Sequence, residues 1–357
     1  MKQFTCPTQI VFGSAEKVLA DLKPKKLLMV ADPYFKGGTA DRLGKASGGE
    51  AAYFFDVTPD PSLELAAKGA AMVRDFQPEL VVALGGGSAM DCGKAMVYFS
   101  GTAASLVAIP TTSGSGSEVT DFAILTHNGV KHPLVDQNLR PQMAVLDASL
   151  VEALPKALIA DGGFDALTHA LEAYTATGRG LLTNALAKDA FCLIFKHLGQ
   201  SYRGCLQARQ TIHYAATMAG LAFNQAGLGL CHGLSHALGG LLHLPHGRLN
   251  GILLPAVMDC NALGCGKQYA ALAREIGLEG RAEGVGVRNL RNALVRLRKE
   301  LQLPETLSQA GIPPQEVLSH RQALVDAVLA DPCCETNPVP VTPSMICIVL
   351  DQVTGNG

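Results

Sequence analysis

The sequence predicts an α/β N-terminal domain built on a doubly wound parallel sheet, followed by an all-α C-terminal domain. Three observations carry this. Short apolar runs alternate with amphipathic stretches of helical length up to about Leu150. Two of those runs end in glycine- or hydroxyl-rich turns. Beyond Leu150, β-branched alternation nearly disappears, and Ala- and Leu-rich segments separated by Gly/Pro breaks take over.

Taken in order, KKLLMVAD (Lys25 to Asp32) is a short apolar strand, followed by a helical stretch around Tyr34 to Leu43. AAYFFD is the next strand, SLELAAKGAAMVRDF an amphipathic helix, and PELVVALGGGS a buried strand running into glycines. SLVAIPTT and MAVLD (Met143 to Asp147) supply two more strands, the latter the last of the sheet. Strands separated by helices imply parallel pairing. FDALTHALEAYTA, NALAKDAFCLIFKHL, LQARQTIHYAATMAGLAF, KQYAALAREIG and GVRNLRNALVRLRKEL then read as helices. The expected domains are residues 1–152 and 153–357, and the final TGNG reads as a frayed tail.

Composition narrows the function. A chain of 357 residues, 48% hydrophobic and only 17% charged, buries extensive apolar surface and suggests a subunit interface. Its formal charge of −2 and lack of basic runs argue against nucleic acid or anionic lipid as partner. There is no signal-peptide pattern in MKQFTCPTQIVFG and no apolar run of membrane-spanning length. The ten cysteines are scattered without a CxxC, and Cys192, Cys231 and Cys347 sit in apolar helical patterns, as buried free thiols of a reducing compartment would. A soluble, cytoplasmic protein is expected.

LVVALGGGSAMDCGKAM reads as a strand, three glycines and a helix opened by Ser88, with Asp91 three residues on as in a capping box. Glycines there let a pyrophosphate approach the backbone, and the helix N-terminus attracts its charge. A bare tight turn is the alternative. A second loop, IPTTSGSGSEVTD, clusters hydroxyls and amides at the carboxyl edge of the same sheet, where ligands bind in open α/β folds. Asp32 ends the first strand, placed to bind an adenosine ribose and repel a 2′-phosphate, which favours NAD over NADP. It precedes the glycine motif, unlike the usual chain order, and an N-cap before Pro33 explains it equally well.

Four of the ten histidines, His232, His236, His243 and His246, fall in CHGLSHALGGLLHLPHG. FDALTHALEAY places Asp165 and His169 on one helix face, able to grip one divalent ion. Spacing pairs them either with His232 and His236 or, if the chain turns back through Gly239, Gly240 and Pro245, with His232 and His246; it favours the first. Glu172 is a candidate outer partner. Imidazoles and a carboxylate without thiolate suit Fe²⁺ or Zn²⁺. Cys231 reads as core.

With these residues in view, the chain resembles the iron-dependent (group III) alcohol dehydrogenase family. The resemblance rests on ALGGGSAMDCGKA, AIPTTSGSGSEVTDFAI, GFDALTHALEAY, AGLGLCHGLSHALGGLLHLPHGRLNGILLP and the tail CCETNPVPVT, and covers nearly the whole chain. It implies a Rossmann-like dinucleotide domain, a helical metal domain in a dehydroquinate synthase-like fold, and an active site in the cleft between them. Carried over residue by residue, the resemblance implies metal ligands Asp165, His169, His232 and His246. His236 is implied near the nicotinamide. Cofactor contacts are implied at Asp32, Gly86, Gly87, Ser88, Asp91, Thr111, Thr112, Ser115 and Lys131. Lys131 in GVKHPLVD otherwise reads as a solvated loop lysine.

The implied activity is reversible hydride transfer between a small primary alcohol and NAD(H), with Fe²⁺ or Zn²⁺ acting as Lewis acid on the substrate oxygen. His236 either relays the alcohol proton or only packs against the ring. The family's habit of dimerising implies a homodimer or higher oligomer; within the family the chain is most similar to the propanol dehydrogenases of bacterial microcompartments, which implies encapsulation as one location. Rival readings are a polyol dehydrogenase, a lyase or cyclase like dehydroquinate synthase, and a non-catalytic binding protein. Two positions depart from the family pattern. Arg248 in HGRLNG either faces an anionic substrate or is exposed, and Asp161 in LIADGGFDALTH reads as a helix-start residue.

Overall fold

The computed structural model describes residues 4–128 and 130–355. Their contacts divide the chain into two compact units, Thr5–Leu154 and a second that begins at Pro155 and includes Phe4.

The first unit is a six-stranded parallel sheet. Its strands are β1 (Gln9–Phe12), β2 (Lys26–Ala31), β3 (Glu50–Phe54), β4 (Leu80–Gly85) and β5 (Ser105–Pro110), with β8 (Met143–Leu146) inserted after a separate hairpin of β6 (Phe122–His127) and β7 (Val130–Val135). The order is β1-β8-β5-β4-β2-β3, as expected of a doubly wound fold. Helices α1 (Ala15–Leu22), α2 (Thr39–Ala46), α3 (Leu63–Phe76) and α4 (Gly87–Ser100) complete it. The strand run LVVALG is buried along its whole length because both faces are covered. Val81 and Ala83 pack with Val73 and Met96 on one face, while Val82 and Leu84 pack with Leu19 and Leu43 on the other.

The parallel register matters for function. Ala31 pairs with Leu84, and Gly85 with Pro110. The segments after β2, β4 and β5, which begin with Asp32, Gly86 and Thr111, therefore leave one edge of the sheet side by side. This removes the difficulty of chain order: Asp32 is distant from the glycine turn in sequence and adjacent in register.

Several local expectations are corrected. β1 was not expected from sequence, because four residues give too short an alternation; it is specified by pairing with β8. Tyr34 to Leu43 is not one helix but a 3-10 turn, Pro33–Phe35, then α2, because Gly37 adopts φ +73° between them. Lys131 lies in strand β7, not a loop, and its Nζ pairs with Asp60 at 2.6 Å. Ser88 does not open α4: Gly86 is the cap, and Asp91 turns away to bind Ser117 Oγ and Ile124 N.

The second unit consists of helices α5 (Lys156–Thr175), α6 (Leu181–Tyr202), α7 (Leu206–Ala226), α8 (Leu230–Leu242), α9 (His246–Glu275), α10 (Glu283–Glu300), α11 (Pro314–Ser319), α12 (Arg321–Ala330) and α13 (Pro343–Thr354). α5 starts directly after Pro155, so Asp161 is inside it rather than at its start. α8 runs through Gly239 and Gly240; the turn falls at residues 243–245, with His243 as a left-handed C-cap at φ 53°. His243 thus has a structural place. The ten cysteines are free; Cys231 is buried, whereas Cys192 and Cys347 are only half-buried. Of the TGNG tail, Thr354 closes α13 and Gly355 caps it; Asn356 and Gly357 lie outside the described residues. Among the described residues no helix is long and apolar enough to cross a membrane.

Candidate active site

The two groups of functional residues lie in different units and are built up separately. In the helical unit, α5 contributes Asp165 and His169, α8 contributes His232 and His236, and α9 opens on His246. Gly247 lets that helix start approach α5: a Cβ there would stand 2.0 Å from the Asp161 carbonyl oxygen. One ligand atom each from Asp165, His232 and His246 lies within 4.8 Å of the other two. Asp165 Oδ1 is 3.9 Å from His169 Nε2, 3.8 Å from His232 Nε2 and 3.6 Å from His246 Nε2. The i,i+4 partner His236 is not in this triplet. Its Nδ1 lies 2.8 Å from Asp331 Oδ2, and its ring stacks on that of His246 at 5.2 Å.

The surrounding charges fit a cation. Burial raises the Asp165 carboxyl, but His169, His246 and His232 outweigh it and hold the group below the usual carboxylate range. Burial pushes His246 well below its ordinary value, leaving a neutral imidazole with a lone pair to give. His232 goes the other way: burial lowers it, but Glu172 and Asp165 bring it up to about 9. The residues around Asp165 thus already balance positive charge, and the donor set is nitrogen and oxygen without sulfur. A divalent transition-metal ion fits it.

Sequence reasoning missed part of the surrounding shell. Asn250 Nδ2 donates to Asp165 Oδ1 at 2.8 Å, and Ser235 Oγ donates to Asn250 Oδ1. Asn250 follows His246 by one helical turn, a spacing that could have marked it. Asp331 carries no local signal. Arg248 is neither free for substrate nor simply exposed: it makes a forked ion pair with Asp161, at 3.3 and 3.0 Å.

In the sheet unit, Gly86 caps α4 and Gly87 and Ser88 form its first turn. Thr112 stands 3.2 Å from where a Cβ on Gly86 would lie, and Ser115 3.4 Å from that of Gly87, so larger residues would fill the cradle. Thr111 N donates to Gly85 O at 2.8 Å, locking the two loops together. The free N–H groups of the helix start and the adjacent hydroxyls fit a pyrophosphate. Asp32 Oδ1 accepts from Tyr34 N at 2.7 Å, so Asp32 does act as an N-cap. Fully buried Lys94 donates to Ser117 Oγ, Thr120 O and Oγ1, and Phe122 O, at 2.7–3.1 Å. Asp91 and Lys94 together fix the loop after β5. Lys131 stands on the hairpin; among its effects is a lowering influence on Asp91, weaker than the desolvation that raises it.

The family model for iron-containing alcohol dehydrogenases matches residues 7–148, and the model for the C-terminal part of the Fe-containing alcohol dehydrogenase family matches residues 159–354. The chain belongs to the iron-containing alcohol dehydrogenase family.

Among relatives, the chain is 37% identical to the NADPH-dependent butanol dehydrogenase of Clostridium saccharobutylicum, over 95% of this chain and 94% of that protein. It is 37% identical to the 1-propanol dehydrogenase PduQ of Citrobacter freundii, over 95% and 96%. A solved 1,3-propanediol oxidoreductase superposes with a TM-score of 0.93 at 30% identity, over 99% and 100% of the two chains. Sulfoacetaldehyde reductase from Bifidobacterium kashiwanohense, solved in complex with NAD⁺, gives 0.88 at 26% identity over the full length of both. This family member thus shares its fold with an NAD⁺ complex and much of its sequence with an NADPH-dependent enzyme.

Proposed function

We propose that this enzyme transfers hydride reversibly between a small primary alcohol, propanol-like in size, and the nicotinamide of NAD(H), with Fe²⁺ as its metal and Zn²⁺ as a substitute. The observation that carries the reading is the convergence of Asp165, His232 and His246 from three helices on one point, in a chain of this family. Residues 153–357 form the metal-binding domain, and Asp165, His169, His232 and His246 hold the ion. When bound, the ion supplies Lewis acidity toward the alcohol or carbonyl oxygen.

The chain's own side chains do the rest. Glu172 and Asn250 orient His232 and Asp165. Asp331 accepts the Nδ1–H of His236, which leaves Nε2 of a neutral ring able to take the alcohol proton and pass it to solvent. Residues 1–152 form the dinucleotide domain. There Gly86, Gly87, Ser88, Thr111, Thr112 and Ser115 hold the pyrophosphate. Asp32 faces the adenosine ribose, Asp91 positions the loop, and Lys131 contributes charge. A homodimer is part of this proposal, in keeping with the 48% hydrophobic composition, and so is a place in a bacterial microcompartment, in keeping with the similarity to the PduQ enzyme.

The test is an NADH-linked assay with propanal and other short aldehydes, run on metal-stripped protein and after addition of Fe²⁺ or of a single equivalent of Zn²⁺. Turnover restored by metal is expected. Turnover equal with and without metal overturns the assignment.

A further inference from the structure

Next to the Asp165 group, α8 and the 3-10 turn Pro332–Thr336 assemble a second set of donors. One atom each of His236, Asp331 and Cys333 lies within 4.8 Å of the other two. We propose that these three side chains form a second, thiolate-containing divalent-cation site, preferring zinc, whose occupation shuts off His236.

The donor chemistry separates it from the first group. Imidazole, carboxylate and thiol are a zinc set, and three protein ligands leave the fourth position of a tetrahedron open. The frame is prearranged. Asp331 Oδ1 accepts Cys333 N at 2.8 Å, so carboxylate and thiol ride on one turn, while Oδ2 lies 2.8 Å from His236 Nδ1. All three residues are half-buried, so an ion can enter from solvent. On binding, Cys333 loses its thiol proton to solvent and ligates as thiolate; no residue changes oxidation state. Without a cation, burial and then the Asp331 carboxylate keep that thiol protonated.

The consequence for His236 follows from its two nitrogens. A cation on Nδ1 displaces the hydrogen bond to Asp331 and puts the ring proton on Nε2, which then no longer accepts a proton. This inhibition rests on the relay role proposed above; the binding itself does not.

The test titrates the iron-loaded enzyme with Co²⁺ while following absorbance, and in parallel titrates aldehyde reduction with Zn²⁺. Uptake of one equivalent of cobalt carrying a thiolate charge-transfer band is expected, because the first site is already filled by iron and has no thiolate. Cys333→Ser should lose the band and that equivalent, keep basal turnover, and show at least about tenfold weaker zinc inhibition. Cys334→Ser should keep the band. Asp331→Asn provides a second binding variant, expected to weaken cobalt uptake. Absence of that cobalt equivalent, or a band that survives Cys333→Ser, overturns the site. A band without zinc inhibition keeps the site and sinks the shut-off of His236.

Discussion

Glu172 Oε2 lies 2.5 Å from His232 Nδ1, and the same carboxylate accepts the backbone N–H groups of Gly229 and Cys231 at 3.1 and 2.8 Å. One side chain on α5 therefore satisfies donors at the start of α8 and fixes the ring of a proposed ligand with Nε2 toward Asp165. Oriented outer partners of this kind set both the tautomer and the basicity of a ligating histidine.

Glu172→Gln keeps the shape and removes the charge. Metal affinity should fall about ten- to a hundredfold, read by competition with a chelator of known strength. The metal-free protein should lose about 1–3 kcal/mol, because an amide nitrogen now faces backbone donors. Unchanged affinity would mean that Glu172 serves α8 alone.

Asp32 caps Tyr34 N and is proposed to face the ribose, and one substitution separates the two. Asn at this position retains an oxygen to cap Tyr34 N, so thermal stability should not change. The negative charge is gone, however, and with it the repulsion of a 2′-phosphate. The ratio of kcat/KM for NADPH over NADH should rise at least about tenfold. A flat ratio would leave Asp32 with the cap only. The NADPH-dependent relative at 37% identity makes the comparison informative.

The sheet and most helices were legible in the sequence, because strands buried on both faces and long amphipathic helices each have a strong period. The edge strand β1 and the β6–β7 hairpin were not, since short strands draw their stability from partners far along the chain. At the site, spacing left both His236 and His246 open beside His232 and favoured His236, whereas the family resemblance pointed to His246. The geometry sets His236 apart from the Asp165 group. His232 and His236 share a helix face, but His236 swings to Asp331, a carboxylate 95 residues away. His246 reaches Asp165 because α9 starts where Gly247 allows contact with α5. The forked Arg248–Asp161 pair was equally hidden, spanning 87 residues.

Lys94 gives a pH signature. Burial lowers its ammonium to about 8 from an ordinary 10.5, against the raising effect of Asp91 and Glu118. Between those values the unfolded chain holds a proton that the folded chain has released, so this group makes stability rise with pH from about 8 to 10.5. The contribution across that window is up to about 3 kcal/mol. Buried Cys92, pushed up to about 12, acts oppositely from its ordinary 9 upward, which makes the wild-type profile alone ambiguous. Lys94→Met isolates the effect. Urea denaturation should show the variant about 3 kcal/mol less stable at pH 7, since the cation with the largest lowering effect on Asp91 is gone. Its profile should also lack the rising limb of the wild type.

His246 and His236 stack on one another yet should fail differently when removed. His246 sits 3.6 Å from Asp165 Oδ1 and supplies one of the three converging ligand atoms, so His246→Ala should abolish stoichiometric metal binding and, with it, turnover. His236 offers its Nδ1 to Asp331 instead, so His236→Ala should leave the catalytic metal bound. Turnover of that variant should drop by about a hundredfold if the ring relays the proton. Elemental analysis beside steady-state kinetics separates the cases. Stoichiometric metal in His246→Ala would remove it from the ligand set, whereas full activity in His236→Ala would reduce that ring to packing. The geometry sets this contrast: two imidazoles 5.2 Å apart, each committed to a different carboxylate.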